Sequence, residues 1–253
     1  MRSFIAFLKK ELLESARGGK LLLLAGLFAA FGIMNPAIAK LTPWLVEMLS
    51  EDLAESGMVV TGVTVDAITS WTQFFKNIPM ALIAFVLIYG GTFPKEYASG
   101  SLILVLTKGL SRYKVVLAKT VTMLFLWTAG YWLCFGITYG YNAYFWDNSI
   151  ATGLMPAVVG WWVFGAFVIA VVVFFSVAAN SYSGVLLGTG ASVLGLYLLS
   201  FLPKLTLYMP TALMGGTALM ADTGEIGKAL TVAVLLSLAC IGTSILIFNK
   251  KQI

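Results

Sequence analysis

Residues 156–179 read PAVVGWWVFGAFVIAVVVFFSVAA, 24 positions without a single charge. A helix needs about 20 mostly apolar residues to cross roughly 30 Å of hydrocarbon, so this stretch is long enough to span a bilayer. It is followed by Asn180-Ser181-Tyr182-Ser183-Gly184, a cluster of turn formers. Beyond that cluster the chain is again uncharged and apolar to about residue 201. Two crossings joined by a tight loop follow from this reading.

Working outward, with charged residues taken as limits, four more spans are expected at about 21–39, 77–94, 115–142 and 229–248. With 156–179 and 184–201 they make six. Composition agrees. Of 253 residues 60% are hydrophobic and 11% charged, against about 45–50% and 25% in soluble domains. Only lipid lets so much apolar surface stay exposed. The expected fold class is an all-α membrane protein, residues 1–253 forming one transmembrane domain. A soluble fold, disorder and a disulfide scaffold are excluded. Cys134 and Cys240 both lie in apolar runs, where cysteine behaves as a small hydrophobe. Histidine is absent, which removes the commonest metal ligand and the usual general base.

Six spans with the N-terminus inside put 12 of the 16 basic residues on the cytoplasmic side, as the positive-inside rule requires. Both termini are then cytoplasmic, and the net charge of +5 reports topology, with no nucleic acid implied. Of the 11 acids only Glu11, Glu14 and Glu96 share that side. No removable signal peptide is expected at the N-terminus.

Residues 2–18 read as a helix lying on the membrane surface. Phe4, Leu8 and Leu12 share one face with Ile5 beside them, while Lys9, Lys10, Glu14 and Arg17 turn elsewhere. Phe7 and Leu13 break that pattern. After the first span, Thr42-Pro43 is read as a cap opening a short acidic helix outside the membrane, ended by Gly57. Leu205–Ala221 is uncharged but short, and is interrupted by Pro210 and Gly215-Gly216.

The loop 94–114 carries helix punctuation twice. Ser101 is placed to cap a short apolar helix that Gly109 ends, and Ser111 to cap the third span. Apolar residues between basic flanks in the cytoplasm either dock a partner or dip back into lipid.

Catalytic constellations fail. Gly224-Glu225-Ile226-Gly227-Lys228-Ala229 has glycines too closely spaced for a phosphate loop, and alanine where Ser or Thr is needed. Without histidine there is no Ser-His-Asp arrangement, and two separated thiols make no metal cage. No catalytic, cofactor-binding or metal-ligating residue is expected, and the chain is not read as an enzyme. The expected spans have no charge in their middle thirds, which argues against ion-coupled transport. Gly136-x-x-x-Gly140 and Gly184-x-x-x-Gly188 have the spacing of close helix contacts. Tyr139, Tyr141, Tyr144, Trp146, Trp161 and Trp162 read as an interfacial aromatic belt.

Glu96-x-x-x-Gly100-Ser101-Leu102, then Leu106-Thr107-Lys108 and Leu110-Ser111-Arg112, with Lys119 entering the third span, resembles the cytoplasmic loop of ABC-2 family transporter permeases. The layout of six spans, an amphipathic N-terminal segment and an irregular outer segment resembles that family too. Gly109 departs from it, since many relatives have proline there. The resemblance implies the membrane subunit of an ATP-driven exporter in the bacterial plasma membrane. It would work as a homodimer above two copies of an ABC ATPase, which alone would hold ATP and magnesium. The coupling residues would be Glu96, Gly100, Ser101, Leu102, Ile103, Val105, Leu106, Lys108 and Arg112. Phe4, Leu8, Leu12 and Arg17 of the N-terminal helix would brace them. Pro210, Gly215 and Gly216 would shape a re-entrant outer gate. An uncharged lining suits hydrophobic or amphipathic cargo, such as antimicrobial or toxin-like peptides and drugs. Export of a lipid or cell-envelope precursor, and immunity by binding a peptide without moving it, are the alternatives.

Overall fold

A computed structural model of the chain describes residues 2–55, 65–179, 181–222 and 226–251. The protein is helical, with no strand among the described residues, and six helical stretches are long and apolar enough to cross a membrane. It is a multi-pass membrane protein. In order the helices are α1 (Arg2–Arg17), α2 (Lys20–Glu55), α3 (Ala67–Tyr89), α4 (Thr92–Ser99), α5 (Ser101–Thr107), α6 (Arg112–Phe145), α7 (Leu154–Ala178), α8 (Tyr182–Leu199), α9 (Gly216–Ala221) and α10 (Ile226–Lys250). Short 3-10 turns occupy Asn148–Ile150, Thr206–Tyr208 and Pro210–Met214.

The crossings alternate. At one end Arg112, opening α6, donates to the Phe248 and Asn249 carbonyls at the close of α10, and Lys251 donates to Val177 at the close of α7. At the other end Lys40 of α2 lies 3.7 Å from the Phe145 ring centroid of α6, and Trp71 of α3 donates to Asn148. Helix α1 and the finish of α10 therefore share one end, called here the terminal end.

Helix α7 is the hub, the most buried of the spans, while α8 and α10 run along the rim. Lipid supplies no hydrophobic drive between helices, so close packing and internal hydrogen bonds must join them. Gly165 of α7 lets the Trp127 indole of α6 lie flat on the helix; a Cβ there would overlap the ring. The polar tips are satisfied: Trp127 donates to the Trp162 carbonyl at 3.1 Å, Tyr131 to Val158 at 2.7 Å and Trp162 to the Thr128 hydroxyl at 3.1 Å.

Pro36 lies inside α2 and has no N–H for the Gly32 carbonyl. The Thr138 hydroxyl of α6 donates to that carbonyl at 3.0 Å instead. Thr138 also accepts from the Asn35 amide at 3.1 Å, and the Asn35 oxygen accepts from Asn77 of α3 at 2.8 Å. One neutral network thus joins three spans.

Several expectations need correction. The first span and the acidic helix are one continuous helix, because Pro43 falls within it and Thr42 donates to the Ile38 carbonyl one turn back. The expected stop at Gly57 lies outside the described residues. The second span begins at Ala67, ten residues earlier than expected, capped by Asp66, whose carboxylate accepts from the Thr69 N–H. Lys76 consequently sits mid-helix, exposed on the outer surface. A charge does not mark the limit of a span here, because long cationic side chains can run along a helix and carry the ammonium outward. Trp161 is 1% exposed and donates to the Met214 carbonyl, so it belongs to the core and not to an aromatic belt. Tyr144, by contrast, is 82% exposed. A Cβ at Gly136 or Gly140 would meet nothing within 4 Å among the described residues, whereas Gly188 packs on the Phe175 ring.

Candidate functional site

The loop between α3 and α6 folds into an elbow of two short helices. Gly100 ends α4 and opens α5 at φ 66°, a left-handed conformation that costs most other residues about 1–2 kcal/mol. Gly109, beyond α5, has φ 85°. Proline, locked near −65°, could not occupy that geometry. Ser101 is the first residue of α5 and makes no capping bond; it takes a hydrogen bond from the Ser99 hydroxyl at 2.9 Å. Ser111 stands at the N-cap of α6, also without a side-chain capping bond.

The expected coupling residues divide by direction. Leu102 is 1% exposed and joins the core. Val105 and Leu106 are half-buried against it. Ile103 (45% exposed) and Leu104 (65%) face outward, with Thr107 and Lys108 beyond them. Leu104, the most exposed apolar residue of α5, escaped sequence reasoning. A shallow hollow of about 400 Å³ runs beside this face, between Ile103, Leu106, Thr107, Leu110, Ser111 and Arg112. Arg112 caps α10, where a cation meets the negative end of the helix dipole.

What holds the elbow in place is a knot of five charges. Lys119 of α6, 1% exposed, bonds Glu11 of α1 at 2.9 Å and Glu96 of α4 at 3.0 Å. Lys10 bonds Glu96 at 2.9 Å, Glu11 at 3.0 Å and Glu14 at 2.8 Å. The rings of Phe7 and Phe93 lie 5.8 and 5.3 Å from the Lys119 ammonium. Phe93 in turn packs edge-on to Phe248 of α10. The elbow is thereby fastened to α1, α6 and α10 together.

Partial burial works against the charge of Lys10, but its hydrogen bonds to Glu14 and Glu96 and the field of Glu11 raise its pKa above the usual lysine value. The Lys10 hydrogen bond holds the Glu14 carboxyl below the ordinary range. Glu11, Glu14 and Glu96 bring carboxylate oxygens within 4.8 Å of one another. Ammonium groups already fill the space between them, so a metal ion would have to displace lysine.

Helix α1 buries a different face from the expected one. Phe7, Glu11 and Ser15 are buried, Phe4, Leu8 and Leu12 are half-buried beside them, and Ile5 is exposed. This stripe includes the residue that had broken the pattern and an acid, because α1 packs on Lys119 and α6 as well as on apolar surface. Arg17 is exposed and joins none of the ion pairs of the knot.

At the opposite end, residues 206–221 run along α7. Trp161 donates to the Met214 carbonyl at 3.0 Å, and Gly153, just before α7, lies against the Met220 backbone. Pro210 is buried and opens the Pro210–Met214 turn. Gly215 follows that turn, and Gly216 packs on the Phe75 ring of α3.

Comparison with known proteins returns no match, either among protein-family profiles or among curated proteins.

Proposed function

We propose that this chain is the transmembrane subunit of an ATP-driven exporter of the ABC-2 type. The observation that carries the reading is the elbow. A short helix projects Ile103 and Leu104 away from the spans, beside a hollow of mixed apolar and polar lining, while its root is tied by Glu96 to two other helices. Exposed apolar residues on an anchored support are suited to docking, and an ion-tied root passes on a push as movement of α1 and α6.

In this reading the terminal end faces the cytoplasm of a bacterial cell and two ABC ATPases sit beneath a homodimer of the chain. ATP and magnesium bind there, and the chain itself has no catalytic role. Helix α1 lies at the membrane interface and braces the elbow. Residues 206–221 form the outer gate. Cargo is hydrophobic or amphipathic, since many of the span hydroxyls are engaged with the carbonyl one turn back in their own helix. ATPase closure favours one arrangement of the pair through differential contacts at α5.

The test is reconstitution with a candidate ABC ATPase in vesicles. Ile103→Glu with Leu104→Glu leaves insertion and thermal unfolding unchanged and abolishes both copurification and chain-dependent stimulation of ATP hydrolysis. Full stimulation by the double variant overturns the docking assignment. Binding of an amphipathic peptide without ATP-dependent accumulation supports the immunity reading instead.

A further inference from the structure

Beside the charged knot lies a hollow of about 10 Å³, the room of a single water. Five helices reach it: α1 through Glu11 and Glu14, α2 through Lys20, α3 through Tyr89, α4 through Thr92 and α6 through Lys119 and Thr122. The charges in its wall balance, two carboxylates against two ammonium groups, so the lining selects neither a cation nor an anion.

The hydrogen bonds do not balance. An ammonium has three donors, and Lys119, whose side chain is fully buried, gives two of them to Glu11 and Glu96. Thr122 is 4% exposed and Tyr89 2% exposed, and neither hydroxyl has a hydrogen-bond partner among the described residues. The Ser15 hydroxyl is near Tyr89 but outside hydrogen-bond geometry. Thr120 and Thr128 on the same helix each donate to the carbonyl one turn back; Thr122 makes no such bond and lines the hollow instead. Leaving buried polar groups unmet is costly, and here a donor and two hydroxyls converge on one small space.

We infer that this hollow is a binding site for one water molecule, which accepts the third proton of Lys119 and bonds the Thr122 and Tyr89 hydroxyls. A water is neutral, both donates and accepts, and settles in a polar cavity where it finds two to four partners. Among the described residues no direct hydrogen bond joins α3 to α6, so the water supplies that link at the root of the elbow. The inference rests on the packing of these helices and is independent of the exporter reading.

X-ray radiolysis of the full-length protein in detergent, read by mass spectrometry, tests it. Radicals born from a bound water oxidise the side chains that touch it. Met123 and Tyr89 line the hollow and are 3% and 2% exposed; both should be labelled, while Trp127 and Tyr131, equally buried but away from the hollow, should not. Thr122→Val keeps the side-chain shape and removes the hydroxyl. It should cut the labelling of Met123 severalfold and lower the unfolding temperature by about 2–4 °C, the shift for one lost hydrogen bond in a chain of this size. Thr122→Ser, which keeps the hydroxyl, should retain the labelling. In a dry hollow Thr122→Val would instead remove an unmet buried hydroxyl and raise the unfolding temperature. Absence of label at Met123 and Tyr89, labelling indifferent to Thr122→Val, or an unfolding temperature that holds or rises in that variant overturns the proposal. Exchanging sodium for choline in the buffer should change nothing; an unfolding temperature that depends on sodium assigns the hollow to a monovalent cation and overturns it as well.

Discussion

The charged knot at the terminal end and the amide network halfway along the bundle each join three helices, yet one uses five charges and the other none. Lys119, Glu11, Glu96, Lys10 and Glu14 bind α1, α4 and α6. Asn35, Asn77 and Thr138 bind α2, α3 and α6. The difference follows from depth. A charge at the centre of a span costs about 2.5–3.5 kcal/mol to insert. Near the edge, α1 and α4 each bring one carboxylate, Glu11 and Glu96, to a lysine that α6 has carried inside. Halfway along, no such element is available, and neutral donors and acceptors satisfy one another and the carbonyl that Pro36 orphans.

This contrast can be broken most severely at Lys119. Lys119→Met leaves Glu11 and Glu96 with only the half-exposed Lys10, and stability falls by about 3–5 kcal/mol, read by unfolding in mixed detergent. Replacing the set together, as Lys119→Met with Glu11→Gln and Glu96→Gln, recovers most of that loss, because no charge is left buried without a partner. If the triple variant is as unstable as the single one, packing and not charge balance holds α1.

The neutral network gives a smaller effect. Asn35→Leu removes the middle member and costs about 0.6–1.7 kcal/mol, the range for hydrogen bonds between membrane helices. A loss as large as that of Lys119→Met would erase the distinction between the networks.

The smallest effect is in pH. Glu14, with its carboxyl pKa lowered by the Lys10 hydrogen bond, contributes stability above its ordinary pKa near 4.5 and loses it as pH falls through the lower folded value. Lys10, with a raised pKa, contributes fully below 10.5 and loses its share only as pH rises through its higher folded value. Both groups are substantially exposed, so solvent weakens the terms. Hydrogen exchange of α1 should be flat across neutral pH and rise modestly below about pH 4.5, and Glu14→Gln should remove that rise.

Much of the fold was legible from the chain. Six apolar runs of about bilayer length gave six spans, because each crossing must bury its own backbone polar groups regardless of neighbours. The limits differ at Lys40 and Lys76, where the lysine lies inside a helix and does not end it. The candidate site was half legible. The Glu96 to Arg112 spacing marked the elbow, but the outward face belonged to Ile103 and Leu104, with Leu102 turned inward. The knot had a visible signal: Glu11, Glu14 and Glu96 were the only acids assigned to that side, and all three meet lysine there. Phe7 and Glu11 hid the buried face of α1, because an amphipathic pattern assumes that helix packs on something apolar.

From the order of residues alone came the solvent, the number of crossings and the place of the loop between the second and third, all set by local run length and composition. Which side chains of α1 and α5 turn inward, that Lys119 is paired, and that α1, α3 and α6 leave a polar hollow between them were settled only when the helices packed. Those outcomes depend on partners separated by tens of residues along the chain, and no periodicity within one segment encodes them.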